Sequence, residues 1–329
     1  MVDVFGAPFD LCGYRPGSRL GPDAIRLAGL QKELDGIGVA SHDQGDLESS
    51  VSGLTPGAWK SISSITPYYQ EVKSRVAQSL RKGNQALVLG GDHSISLGSV
   101  AAAREVYGDD LAVLWVDAHA DLNSPVTSPS GNLHGMVLAA LTNRKWLGPE
   151  NAYWKNLSED QRANTKAEWE QLIKNQVGSN PIPLNRVGWF GLRDVDSGES
   201  EVLLAGDAGF CATMADIDRL GVVDQLTKVD QWLRRTGATK FWLSFDVDAL
   251  DPFLAPGTGT AVRGGLSYRE MHTIGELFFE ILSASDCPYE LVGLDLVEVN
   301  PLIDTNNTTA KTAVEWLASL MGKTILGKR

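Results

Sequence analysis

The chain has 329 residues, 43% hydrophobic and 21% charged, with a formal net charge of -12. That composition belongs to a soluble globular protein with enough chain to bury a large core. It contains no apolar run of about 18 residues for a membrane span and no Lys/Arg stripe to neutralise nucleic-acid phosphates. Cys12, Cys211 and Cys287 are the only cysteines. They are far apart and odd in number, which suits a reducing cytoplasm rather than a disulfide framework. The opening MVDVFGAPFD is short on basic residues and strand-like, so it reads as mature protein rather than a targeting peptide.

In chain order, a strand is expected at Val2–Phe5. A helix follows, opened by Gly21-Pro22-Asp23 and carrying Leu27, Leu30 and Leu34. A second strand is expected at Ile37–Ala40. Val72, Val76 and Leu80 mark a helix closed by Gly83, and strands follow at Ala86–Leu89 and Leu111–Val116. The polar stretch from about Lys145 to Pro181 carries Trp146, Trp154 and Trp169 and a helix start at Ser158 with Gln161 as its capping partner. It is expected to be a surface excursion. Further strands are expected at Arg186–Phe190, Phe210–Thr213, Phe241–Phe245 and Glu290–Leu296. Ser267 and Glu270 form a capping box before a long helix, and Ala313, Leu317 and Leu320 mark a last helix closed by Gly322. Several strands are apolar at every position, the pattern of strands buried on both faces. With no linker or repeat in view, this predicts one α/β domain: a doubly wound, mainly parallel eight-stranded sheet with helices on both faces.

Three of these strands end in potential metal ligands. Leu111–Val116 runs into Asp117-Ala-His119-Ala-Asp121, and residues two apart in an extended chain point the same way. Phe241–Phe245 runs into Asp246-Val-Asp248. Ala86–Leu89 runs through Gly90-Gly91-Asp92 to His93. A lone Asp or His at a strand end is more often a cap, and Asp92 has that reading. Four Asp and two His at three strand ends are harder to explain so. Without a cation, mutual repulsion would protonate some of the carboxylates. Six ligands exceed what one metal with an open position needs, so a metal pair able to activate water is expected. Oxygen-rich ligation with some imidazole favours Mn²⁺, with Zn²⁺ as the alternative.

Gly90-Gly91-Asp92-His93-Ser94, Asp117-Ala-His119-Ala-Asp121 and Ser244-Phe-Asp246-Val-Asp248-Ala-Leu-Asp251-Pro252 together resemble the ureohydrolase family of arginases, agmatinases and related amidinohydrolases. The likeness spans nearly the whole chain, the stretch from Lys145 to Pro181 excepted. It implies two Mn²⁺ per subunit, one held by His93, Asp117, Asp121 and Asp246, the other by His119, Asp117, Asp246 and Asp248. A hydroxide bridging the ions would attack a guanidinium carbon. The segment from Asn123 to His134 resembles the substrate loop of arginases. This implies that Asn123, Ser128, Ser130 and Asn132 meet the α-carboxylate, and that His134 passes a proton to the leaving amine. By the same resemblance Asp196 faces the α-ammonium with Glu199 nearby, Glu298 pairs with the guanidinium, and Thr260 lies beside it. His134, Glu298 and Asp121 form the implied catalytic set. The run from Glu298 to Leu326 looks like bacterial arginases. Gly13-Tyr14-Arg15-Pro16-Gly17-Ser18-Arg19-Leu20-Gly21-Pro22 looks more like agmatinases, and Ala249 stands where many arginases have Gly. The implied reaction is hydrolysis of L-arginine to L-ornithine and urea, with agmatine or 4-guanidinobutyrate as the alternative substrate. The implied setting is a cytoplasmic homo-oligomer, trimer or hexamer. A non-catalytic relative would be marked by a lost ligand, and none of the six is missing.

Overall fold

The computed structural model describes residues 1–48, 62–144 and 150–327. Its centre is an eight-stranded sheet of β1 (Val2–Ala7), β2 (Ser41–Asp46), β3 (Gln85–Gly90), β4 (Leu111–Val116), β5 (Val187–Leu192), β6 (Phe210–Thr213), β7 (Lys240–Asp246) and β8 (Glu290–Val297). The order across the sheet is β2-β1-β3-β8-β7-β4-β5-β6, and every neighbouring pair is parallel. β1, β4 and β5 are buried along their whole length, as the unbroken apolar run of β4 requires, and Asp3 of β1 is buried with its partners Ser79 and Asn84.

The period of two along each strand divides the core into two layers. On one face Phe5, Val88, Val113, Trp115 and Trp189 pack under the helices Ile62–Arg81, Ser96–Tyr107, Val137–Leu141 and Glu159–Gln176. On the other, Val4, Leu87, Leu114, Leu243 and Leu294 meet the helices Val222–Thr236, Tyr268–Ser283 and Thr308–Leu320 and the short N-terminal helices. The capping boxes at Ser158/Gln161 and Ser267/Glu270 both form. Among the described residues no helix is long and apolar enough to cross a membrane.

Three expectations need correction. Ile37–Ala40 is not a strand. Ile37 caps a helix, Gly38 turns the chain at φ 74°, and the strand is the polar edge segment Ser41–Asp46. An edge strand with little buried surface has no apolar signature to read. The first helix is two, Gly21–Leu27 and Leu30–Gly36, divided at Gly29 with φ 97°, which leaves Leu27 exposed. Nor is the stretch before Pro181 a surface excursion: the helix Glu159–Gln176 sends Trp169, Leu172 and Ile173 into the main core against Ile62–Arg81. Residues 145–149, with Trp146, lie outside the described residues.

Register sets the heights of the strand ends. Val116 lies opposite Phe245, Asp246 opposite Val297, and Leu89 opposite Leu296. The segments after β3, β4, β7 and β8 therefore emerge side by side at the carboxyl edge, where the strand order reverses and open α/β sheets build their sites.

If the helix Glu159–Gln176 is part of the core, Trp169→Ala should cost about 3–5 kcal/mol in denaturant unfolding. A cost within about 0.5 kcal/mol, the range of ordinary surface substitutions, would return that helix to the status of an appendage.

Candidate metal centre and substrate cavity

The turn after β3 depends on glycine. A Cβ on Gly91 would lie 1.8 Å from the Phe9 carbonyl oxygen, and one on Gly90 would lie 2.5 Å from Val297 Cγ1. Asp92 then caps the turn, accepting the Ser94 N–H at 3.1 Å, so its capping role is real. His93 follows, buried and stacked on Trp115 at 4.1 Å between ring centroids.

After β4, Asp117 Oδ1 accepts the His119 N–H at 2.7 Å; after β7, Asp246 Oδ1 accepts the Asp248 N–H at 2.7 Å. Asp248 Oδ1 in turn accepts the Ala118 N–H at 3.1 Å, tying the two turns together. Asp121 has a left-handed backbone, φ 52°, a conformation that costs a non-glycine residue about 1–3 kcal/mol. Its carbonyl accepts Leu138 and Ala139 N–H groups at the start of a helix.

These turns bring the six expected ligands together. His93 Nδ1 lies 3.1 Å from Asp117 Oδ2, 3.3 Å from Asp121 Oδ2 and 3.1 Å from Asp246 Oδ2. His119 Nδ1 lies 3.2 Å from Asp117 Oδ1 and 3.1 Å from Asp248 Oδ2. Two groups of donor atoms of metal-site dimensions result: His93, Asp117 and Asp246, and Asp117, His119 and Asp248. Asp117 belongs to both, one oxygen to each. Asp246 belongs to one.

The donor set fits a divalent cation. His93 Nδ1 is buried with no aligned hydrogen bond, although three carboxylates surround it. Its Nε2 is 2.8 Å from Ser244 Oγ, and Ser244 donates to the buried Asp295, which also accepts from Trp242 at 2.9 Å and Ser99 at 2.6 Å. With Nε2 occupied, the Nδ1 lone pair is aimed at the carboxylates, as a ligand's would be. The charges agree. Burial, then neighbouring carboxylates, hold the Asp121, Asp246 and Asp248 carboxyls above their ordinary range. Burial opposes charge on His93 and His119, but the carboxylates beside them outweigh it and raise both. Lacking a cation, the cluster neutralises itself with protons.

A cavity of about 270 Å³ opens above this floor. Asn123, Ser128, Ser130, Asn132, His134, Asp196, Glu199 and Thr260 all line it, together with Tyr14 and Asp194. Ser128 Oγ accepts the Gly131 N–H at 3.0 Å and Ser130 Oγ the Asn132 N–H at 3.2 Å, and the two hydroxyls lie 3.5 Å apart, so one donates to the other and one proton is left to donate outward. Asn123 Nδ2 donates to Asp196 Oδ2 at 2.8 Å. Glu199 is buried; it accepts the Leu122 and Asp196 N–H groups at 2.9 and 3.0 Å, and burial pushes its carboxyl up to about 7. It holds the Asp196 turn. Thr260 donates to Asp248 Oδ2 at 2.7 Å. Glu298, also left-handed at φ 65°, accepts the His93 N–H at 2.9 Å and lies 2.7 Å from His134 Nδ1. Its carboxylate is thus turned to His134, and it is not among the residues lining the cavity.

Sequence reasoning missed Ser244, although it stands two residues before Asp246 and so on the same side of β7. It also missed Asp295, a buried acid inside an apolar strand, and Arg193. The Arg193 guanidinium bonds only to backbone, reaching the carbonyls of Gly191, Asp248, Ala249, Leu250 and Val262. Nothing in the sequence signals that role.

The sequence profile of the arginase family matches residues 1–322. An arginase of Staphylococcus aureus is 38% identical over 99% of this chain and 98% of its own length. An arginase of Bacillus subtilis is 35% identical over 99% of each. The crystal structure of arginase from Bacillus subtilis superposes with a TM-score of 0.81 at 33% identity, covering 99% of both chains.

The raised carboxyls and imidazoles set the sign of a pH effect. Ligands must be deprotonated, so metal binding displaces protons that the free cluster carries at pH 7. Calorimetric titration with Mn²⁺ in buffers of different ionisation enthalpy should show net proton release, and the apparent affinity should rise with pH. Heats independent of the buffer would mean that the free cluster is already fully ionised.

Proposed function

This chain belongs to the arginase family, and on that footing we propose how it hydrolyses the guanidinium group of L-arginine to L-ornithine and urea: with two manganese ions on the shared carboxylate Asp117. His93, Asp117, Asp121 and Asp246 would hold one ion, and His119, Asp117, Asp246 and Asp248 the other. The observation that carries this reading is the division of Asp117 between two histidines, Oδ2 toward His93 at 3.1 Å and Oδ1 toward His119 at 3.2 Å. Bound divalent ions supply Lewis acidity and make water nucleophilic near neutral pH.

The protein's own groups do the rest. Ser128 and Ser130 turn their hydroxyls from each other to donate to the α-carboxylate, with Asn123 and Asn132 beside them. Asp196 faces the α-ammonium, held by Asn123 and by the Glu199 turn. Thr260, already donating to Asp248, has lone pairs left to accept from a guanidinium N–H. His134 gives the leaving amine its proton. Burial disfavours an imidazolium there, but the Glu298 carboxylate outweighs burial and raises His134 to about 9, so it carries the proton at neutral pH. Glu298 acts on the substrate through His134. We also place the enzyme in the cytoplasm as a homo-oligomer, trimer or hexamer, on the strength of the family resemblance.

Agmatine and 4-guanidinobutyrate each lack one α-substituent and would leave polar groups of this cavity unpaired. Urea release by the Mn²⁺-loaded protein from these two and from L-arginine tests the reading. L-Arginine should lead by several orders in kcat/KM. A lead for either analogue would overturn the α-group assignments and leave the hydrolysis standing. His134→Asn should keep its metal content and lose about 10²–10⁴-fold in kcat, the usual worth of a placed general acid. An unchanged kcat would remove His134 from the chemistry.

A further inference from the structure

Tyr14 lines the cavity but has no part in the roles above. Its loop is pinned throughout. Phe9 O accepts the Asp92 N–H at 2.8 Å, the Cys12 N–H donates to Asp92 Oδ2 at 2.7 Å, and Cys12 O accepts the His134 N–H at 3.4 Å. Further along, the Gly17 N–H donates to Asp10 Oδ2 at 2.7 Å and Asn300 Nδ2 to Pro16 O at 3.1 Å. The neighbours of Tyr14 locate it. A Cβ on Gly13 would be 3.8 Å from His134 Nδ1, and Arg15 Cβ is 3.7 Å from where a Gly259 Cβ would stand, one residue from Thr260. Tyr14 therefore stands between the His134 loop and the Thr260 loop. The floor of the cavity is buried, whereas Tyr14 is 68% exposed, so it stands at the mouth. Among the described residues no hydrogen bond holds its phenol. A rigid backbone thus carries an aromatic ring that the fold itself does not use.

We propose that Tyr14 is a specificity-determining residue whose ring closes the mouth over the α-end of the substrate, so that the site takes the free guanidino amino acid and refuses one extended through its α-carboxyl. This rests on the reading above, in which the guanidinium reaches the floor and the α-groups stay near Ser130, Asn132 and Asp196 at the rim. A ring there covers the alkyl chain and excludes water at little conformational cost, having two side-chain torsions to fix. A residue appended to the carboxyl would need the volume that the ring occupies.

The test compares L-arginine with the dipeptide L-arginylglycine on the Mn²⁺-loaded wild type, Tyr14→Ala and Tyr14→Phe. Because the side chain is exposed and touches no ligand, metal content and Tm should not change. Tyr14→Ala should raise KM for L-arginine about tenfold with kcat within about twofold, the scale of losing one apolar wall. Its ratio of kcat/KM for the dipeptide over arginine should rise about tenfold or more, while Tyr14→Phe behaves as wild type. An unchanged ratio in Tyr14→Ala, with the wild type active on L-arginine, overturns the inference alone. Tyr14→Phe behaving like Tyr14→Ala overturns it too, since the hydroxyl and not the ring would then matter. A wild type that releases no urea from L-arginine overturns the substrate reading and this inference with it.

Discussion

Everything at the carboxyl edge of the sheet follows from holding Asp117, Asp121, Asp246 and Asp248 in one buried place. Buried carboxylates repel one another and lose solvation, so a fold that gathers them must offer compensation. Part is internal: backbone N–H groups of His119, Asp248 and Ala118 bind carboxylate oxygens, and Trp115 Nε1 donates to Asp117 Oδ2 at 3.1 Å. These contacts fix the orientation of the carboxylates but do not discharge them. The remaining charge suits a cation, and the buried His93 Nδ1 without a hydrogen-bond partner lies among the same carboxylates.

The strand order decides which groups can share that place. β4 and β7 are neighbours, so Asp117 and Asp246 emerge at the same height. β3 is one strand further off, with β8 between it and β7. The intervening strand supplies no ligand. The residue just past its end is Glu298, whose carboxylate accepts the backbone N–H of His93 and lies against His134. The same strand carries Asp295, which anchors the Ser244 hydroxyl that occupies His93 Nε2. β8 thus positions the metal side of the site with one acid and the proton-carrying side with another. The left-handed backbones of Asp121 and Glu298 are the strain that this convergence requires.

The strands buried on both faces were legible in the sequence because burial of this kind leaves an unbroken apolar run, as in Leu111–Val116, predicted to the residue. The clustering of the six Asp and His side chains was legible because they follow such runs at period two. The polar edge strand Ser41–Asp46 was not, since a strand that buries little surface carries no hydrophobic pattern. The break at Gly29 was hidden because leucines at helical spacing continue across it. The burial of Trp169 was hidden because its helix is polar overall and rests on a few large side chains. Ser244 was within reach of the period-two argument. Arg193 was not: its partners are carbonyl oxygens, which every residue has.

The two histidines show how one cluster serves both the fold and the substrate. His93 has a side chain 2% exposed, a stacked indole, and its second nitrogen committed to Ser244. His119 has a side chain 26% exposed, and its Nε2 looks toward Asp194 across 3.9 Å. One side of the cluster is therefore sealed by protein and the other meets the cavity. The groups around that open side include the acids Asp194 and Asp196. Such a rim draws a cation inward and repels anions. The hydroxyls of Ser128 and Ser130 line the same cavity and are its neutral counterpart to these acids.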